Sequence, residues 1–183
     1  VPFAGADRDA LPRRDSTAEK LASLPPVFDR SAAATLTAGN SSPLTDGAAG
    51  LWVADREGLD RLGAPPAIRL VDWQLDAMDY REEGILMAPA RAIPKLLARH
   101  SLRFEDVALW ELHEAFAAQV LANVQAFSDP AYRRKHAGVD AELSAFPWQR
   151  LNPTGGSLAI GHPFAATGAR ILSQAAKELA ELP

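Results

Sequence analysis

The sequence predicts an α/β fold, and two observations carry that expectation. Short apolar runs hand over to helical patterns at two corners, residues 107–117 and residues 157–172, and each corner carries a histidine, His113 and His162. The chain has 183 residues, 48% of them hydrophobic and 23% charged, which is enough to bury one core and too apolar for a disordered segment. In open α/β sheets ligands collect outside the carboxyl ends of strands, so two histidines in equivalent corners are expected to face one cleft.

The elements follow in order. Residues 1–26 are charged and broken by proline, with a short helical pattern from Thr17 to Ser23 that Ser16 or Thr17 can cap and Pro25-Pro26 stops. Residues 28–45 carry charge only at Asp29 and Arg30, and their Asn40, Ser41 and Ser42 are small polar groups in a stretch expected to be neither helix nor solvated linker. Asp46-Gly47 signals a turn, residues 48–54 read as a buried strand, and Asp55 caps a helix that runs through Leu62 and ends at Gly63. Residues 68–75 alternate in a way that reads as another strand, and residues 76–84 as a surface excursion.

Residues 89–100 are helical in composition. A proline deep inside a helix costs about 3 kcal/mol, so the regular helix is expected to begin near Pro94, with His100 at its C-terminal end and no chemistry assigned to it. Residues 107–112 read as a strand, and His113 opens an amphipathic helix with Phe116, Val120 and Val124 on one face. Residues 128–150 carry Arg133, Arg134 and Lys135 in a row, then His136, and read as an exposed helical insertion. Ser157 to Ile160 reads as a strand, Gly161-His162-Pro163 as a tight turn, and Phe164 to Leu172 as a buried helix.

Proline after His162 pushes that residue towards an extended conformation at a helix N-cap, where the helix dipole disfavours imidazolium and keeps the ring able to accept a proton. A histidine there serves either as a base or simply as a cap. A zinc-protease helix would need a second histidine four residues after His113, and position 117 is alanine, so no metal site is expected. The formal net charge of −4 gives no basic footprint for nucleic acid. Residues 151–169 lack charge, but four glycines, two prolines, Asn152 and His162 rule out a membrane span and fit a close-packed loop. Nothing at the N-terminus resembles a signal peptide, and the expected compartment is the cytoplasm. The chain contains no cysteine, which excludes disulfides and cysteine-based metal sites.

The motif His113-Glu114-Ala115-Phe116-Ala117, followed by NPTGGSLAIGHPFAATGARIL from Asn152, resembles the C-terminal half of a thiolase. The histidine heading the first motif, where most thiolases have asparagine, resembles the thiolase β subunits of fatty-acid β-oxidation complexes. The likeness extends upstream through TAGNSSPLTDGAA from Thr37 and STAEKLASLPPVF from Ser16, so it covers nearly the whole chain.

This resemblance implies a layered αβαβα fold, with residues 1–28 ending a loop domain and residues 29–183 supplying most of the C-terminal domain. It implies thiolytic cleavage of 3-ketoacyl-CoA, or the reverse Claisen condensation, with coenzyme A as substrate and no other cofactor. His162 would activate a nucleophilic cysteine, and His162 and His113 would donate to the thioester oxyanion. Ser42 and Leu44 would line the pantetheine tunnel, and Ala115 and Phe116 would border the acyl group. Both catalytic cysteines are then expected outside these residues. The implied partners are the remaining N-terminal half, a second copy, and a hydratase–dehydrogenase α subunit. A β-ketoacyl synthase and a non-catalytic acyl-CoA-binding relative remain as alternatives.

Overall fold

The computed structural model describes residues 5–65 and 67–182. Its helices are α1 (Ala18–Ala22), α2 (Arg56–Arg61), α3 (Tyr80–Glu83), α4 (Ala88–Arg99), α5 (Ala117–Ser128), α6 (Pro130–Tyr132), α7 (Ser157–Ile160) and α8 (Ala166–Glu181). A π-turn over Arg133–Ala137 and 3-10 turns at Phe104–Asp106 and Trp148–Arg150 complete the regular structure. None of these helices is long and apolar enough to cross a membrane.

The two early helices form for the reasons their sequences give. Thr17 accepts a hydrogen bond from the Lys20 N–H at the start of α1, and Asp55 accepts one from the Gly58 N–H at the start of α2. The core lies further along, where Leu97 from α4 meets Val120, Val124 and Phe127 from α5, with Phe104, Trp110, Leu143 and Phe146 closing the cluster. Phe104 and Phe127 are 0% exposed, and the Phe104 ring stands 5.1 Å from Phe127, 5.8 Å from Phe146 and 5.9 Å from Trp110. Four aromatic rings in mutual edge and tilted contact make this the rigid body to which the histidine segments are fixed.

Several expectations change. Helix α4 begins at Ala88, not near Pro94: Pro89 occupies its first turn, while Pro94 is buried inside the helix. Packing of Ala90, Pro94 and Leu97 against the core outweighs the propensity cost that argued for a later start. Residues 128–150 are not an exposed insertion, since Val139, Leu143 and Phe146 are buried. Arg133 is itself 3% exposed, and its guanidinium donates to the Phe127, Ser128 and Ala141 carbonyls, so a residue read as solvated is a buried clamp on the end of α5. His136, expected at the surface, stacks on Tyr132 with ring centroids 4.4 Å apart and meets Glu83 at 3.1 Å.

The strand expectations fare worst. Among the described residues no strand is present, only isolated bridges pairing Pro26 with Thr37, Ser41 with Phe116 and Trp110 with Leu151. Ser157–Ile160 is a single helical turn, because the Ser157 carbonyl accepts from the Gly161 N–H. Residues 48–54 carry no regular structure and are exposed, with Trp52 at 91% and Val53 at 80%. Residues 67–75 are likewise without regular structure, and Leu70, Val71, Trp73 and Leu75 are exposed. A strand's backbone groups need a neighbouring strand, and these segments meet none within the described residues. The layered αβαβα arrangement is therefore not seen among them.

The second of these segments is tied to α4 by charge. Arg99 and His100 both reach Asp72, at 2.7 and 2.8 Å, and Lys95 reaches Asp76 at 2.5 Å. The Arg99 and His100 contacts, with the Trp73 N–H, hold the Asp72 carboxyl down at about 2. His100, to which no chemistry was assigned, thus fastens an extended segment to the core.

Candidate active site

Two backbone segments carry the histidines, and one side chain holds them in register. The Trp110 N–H donates to the Arg150 carbonyl at 2.9 Å and the Asn152 N–H to the Trp110 carbonyl at 2.8 Å, which lays the segments parallel. The Asn152 amide then repeats the pattern one step on: its Oδ1 accepts from the Leu112 N–H at 2.9 Å, and its Nδ2 donates to the Leu112 carbonyl at 2.9 Å. Asn152 sits at φ +43°, a left-handed conformation that asparagine tolerates better than most residues. Nδ2 also donates to Glu114 Oε1 at 2.6 Å, while Glu114 Oε2 accepts from the Leu158 N–H at 3.1 Å.

A helix opened by His113, as expected from the sequence, would put Glu114 in its first turn. That helix starts only at Ala117, with Phe116 as N-cap, so Glu114 braces the His162 segment instead. A Cβ at Gly156 would run into the Glu114 carboxylate, so only glycine permits this approach. Gly161 is constrained twice, by φ +90° and by Thr45, whose side chain fills the place a Cβ would take.

The result is a pair of half-buried imidazoles with ring centroids 4.1 Å apart. His162 is not itself an N-cap, because α8 begins four residues later behind Ala165, and His113 stands four residues ahead of α5. Residues 40–45 run alongside both. The Ser42 N–H donates to the Ala115 carbonyl at 2.9 Å, the Ala117 N–H to the Asn40 carbonyl at 2.9 Å, and the His162 N–H to the Pro43 carbonyl at 3.0 Å. Phe116 meets Phe28 edge-on at 5.6 Å, and the Leu44 side chain is 82% exposed beside this arrangement. The six residues singled out from sequence therefore lie on three adjoining strips of backbone, with residues 40–45 between the two that carry the histidines.

Each histidine Nδ1 has a hydroxyl partner that sequence reasoning missed: Ser157 Oγ lies 3.0 Å from His113, and Thr167 Oγ1 lies 2.7 Å from His162. Thr167 also donates to the Pro163 carbonyl at 3.1 Å. With its one proton turned to that carbonyl, Thr167 would accept from the His162 Nδ1–H, which would leave the His162 Nε2 a free lone pair. The available signal was a small polar residue inside an otherwise apolar run on either side of the G-H-P turn. Among the described residues no group of three or more histidine, aspartate or glutamate side chains is arranged to hold a metal ion.

Residues 64–182 match the family model of the thiolase C-terminal domain, and residues 4–57 that of the thiolase N-terminal domain. The chain belongs to the thiolase family. It is 40% identical over 173 residues to the 3-ketoacyl-CoA thiolase of Shewanella loihica, covering 94% of this chain and 39% of that protein. The dimeric peroxisomal thiolase of Saccharomyces cerevisiae superimposes with a TM-score of 0.69 at 37% identity, over 96% of this chain and 39% of the yeast chain. Human mitochondrial 3-ketoacyl-CoA thiolase in complex with CoA does so with a TM-score of 0.66 at 28% identity, over 93% of this chain and 38% of the human one. The thiolase chain described here thus spans about two fifths of the length of the relatives it matches.

The electrostatics of the thiolase histidine pair favour neutral rings. Burial pushes the His162 pKa down, and the Arg170 guanidinium adds to that. Burial likewise lowers His113, helped by His162 and Arg170 and opposed by Glu114. Nearby, burial and the Glu178 carboxylate raise Glu111 to about 7, against the pull of Arg170.

These shifts act on stability in opposite senses. Depressed histidine pKa values contribute stability that is complete above the unfolded value near 6.5 and lost as pH falls through the folded values. The raised Glu111 contributes stability that is complete below about 4.5 and lost as pH rises through about 7. Glu111→Gln should therefore gain on wild type between pH 5 and pH 8, read by urea denaturation at both values. An equal offset at the two would refute the Glu111 assignment.

Proposed function

We propose that this chain supplies the two-histidine part of a 3-ketoacyl-CoA thiolase site whose cysteine sulfur comes from polypeptide outside these residues. The observation that carries the reading is the His113–His162 pair at 4.1 Å, with the Nδ1 of His162 engaged by Thr167, in a chain that belongs to this family. In the proposed reaction His162 Nε2 takes the proton of a cysteine thiol, and the thiolate attacks C3 of the 3-ketoacyl-CoA. The C2–C3 bond then breaks, its electron pair passes to C2, and charge gathers on the adjoining thioester oxygen as an enolate. N–H donors from the histidines stabilise that charge. A second cysteine protonates C2 to release acetyl-CoA, and the CoA thiol takes the shortened acyl group off the first. The reverse sequence is a Claisen condensation.

Ser42 and Leu44 would meet the pantetheine arm and Ala115 and Phe116 the acyl group, a reading supported by their place on the strips beside the two rings. Residues 48–54 and 67–75 would enter the sheets of the αβαβα layers once the rest of the polypeptide is present. Their exposed apolar side chains and lack of strand neighbours support that step. A second copy, the hydratase–dehydrogenase α subunit and a cytoplasmic setting belong to the same reading. The test is cleavage of acetoacetyl-CoA, followed at its enolate absorbance. The 183-residue chain, which has no cysteine, should show no turnover, whereas the complete polypeptide should be active. Turnover by the chain alone would overturn the cysteine requirement, and an inactive complete polypeptide would overturn the assignment.

A further inference from the structure

We infer that Ser157 is a positioning residue for His113: its hydroxyl donates to Nδ1 and so fixes the ring as the Nε2–H tautomer. Ser157 is 0% exposed, so its hydroxyl has no bulk water to turn to. It has one proton and two lone pairs, and its side-chain partners among the described residues are His113 Nδ1 at 3.0 Å and Arg170 Nη2 at 3.4 Å. A guanidinium accepts nothing, so Arg170 occupies a lone pair and the proton has one place to go, the His113 nitrogen. The opposite tautomer would aim two N–H groups at Ser157 and leave a buried O–H without an acceptor.

His162 is the counter-example that makes the rule visible. Its Nδ1 also faces a hydroxyl, but Thr167 spends its proton on the Pro163 carbonyl, so there the ring must donate. One contact type sets opposite tautomers because the second partner differs, a cation at Ser157 and a carbonyl at Thr167. Taken with the proposed thiolase reaction, on which its catalytic meaning rests, this assigns His162 Nε2 to accept a proton and His113 Nε2–H to stabilise an oxyanion. Arg170 enforces the arrangement from α8 without itself contacting His113 through a hydrogen bond.

The measurement is long-range proton–nitrogen correlation of the imidazole rings in the protein labelled with nitrogen-15 at histidine, with His113→Gln for assignment. At pH 8 His113 should show a bare Nδ1 and a protonated Nε2 in an excess of about tenfold or more, and His162 the reverse. Ser157→Ala should collapse the His113 preference several-fold and leave His162 unchanged, and Ser157→Thr should restore it. A proton on His113 Nδ1 in the wild type, or an unchanged ratio in folded Ser157→Ala, overturns the assignment. If the alanine variant does not fold, the wild-type spectrum still decides. Turnover is read separately. An inactive complete polypeptide with the expected tautomers would sink the functional reading and leave this one standing.

Discussion

Replacing His162 by alanine in the complete polypeptide is expected to abolish acyl-enzyme formation and turnover together, whereas His113→Ala should spare the first and cripple the second. The asymmetry follows from what each Nδ1 does. His162 gives its Nδ1–H to Thr167, so its Nε2 is the nitrogen that can deprotonate a thiol. His113 lies 4.1 Å away and, with Ser157 donating to it, offers a proton but no lone pair at Nε2. Loss of an oxyanion donor lowers kcat by about 100-fold or more. His113→Asn keeps an amide donor and should retain measurable activity. Iodoacetamide alkylation of the nucleophilic cysteine separates the roles, being slow in His162→Ala and near wild-type in His113→Ala. Equal slowing in both variants would show that the pair acts as a unit rather than with divided labour.

Phe104→Ala should destabilise the chain by about 3–5 kcal/mol, the usual cost of truncating a buried phenylalanine. Phe104 is 0% exposed, and three other aromatic rings lie within 6 Å of its own, so much of the cavity wall is rigid ring that cannot collapse into it. Against a total stability of about 5–15 kcal/mol for a domain, that loss is a large fraction. The effect should reach the site, because Trp110, one of the three rings, carries the backbone bonds that align residues 110–114 with residues 150–156. Urea unfolding followed by circular dichroism measures the loss. A change under about 1 kcal/mol would mean that the aromatic cluster is not the core.

The two histidines were legible because their signal is local: a glycine, a histidine and a proline at a corner, and a histidine ahead of an apolar helix. The caps at Thr17 and Asp55 were legible for the same reason. What could not be read was anything decided by a partner distant in sequence. Residues 128–150 look polar in a row, and only in three dimensions do Leu143 and Phe146 meet Phe127 while Arg133 spends its charge on carbonyls. Asn152 gave no hint that its amide would mimic a strand neighbour for Leu112, 40 residues away. Residues 48–54 and 67–75 have strand composition, but composition specifies a preference and not a neighbour. Ser157 and Thr167 were passed over because a hydroxyl in an apolar run says nothing of which ring it will face.

The exposed ribbons at residues 48–54 and 67–75 also place a constraint on time. Each presents consecutive apolar side chains and unpaired backbone groups, the features by which one chain recruits another edge to edge. The core around Phe104 draws mainly on residues 97–146 and can consolidate without them. Folding of this thiolase segment is thus a race between two encounters for these ribbons, the second of which is already fastened to α4 through Asp72. On the proposed layered fold, cognate sheet strands arriving first end it productively; a second molecule's ribbon arriving first ends it in a cross-chain pairing, and rising concentration favours only the latter.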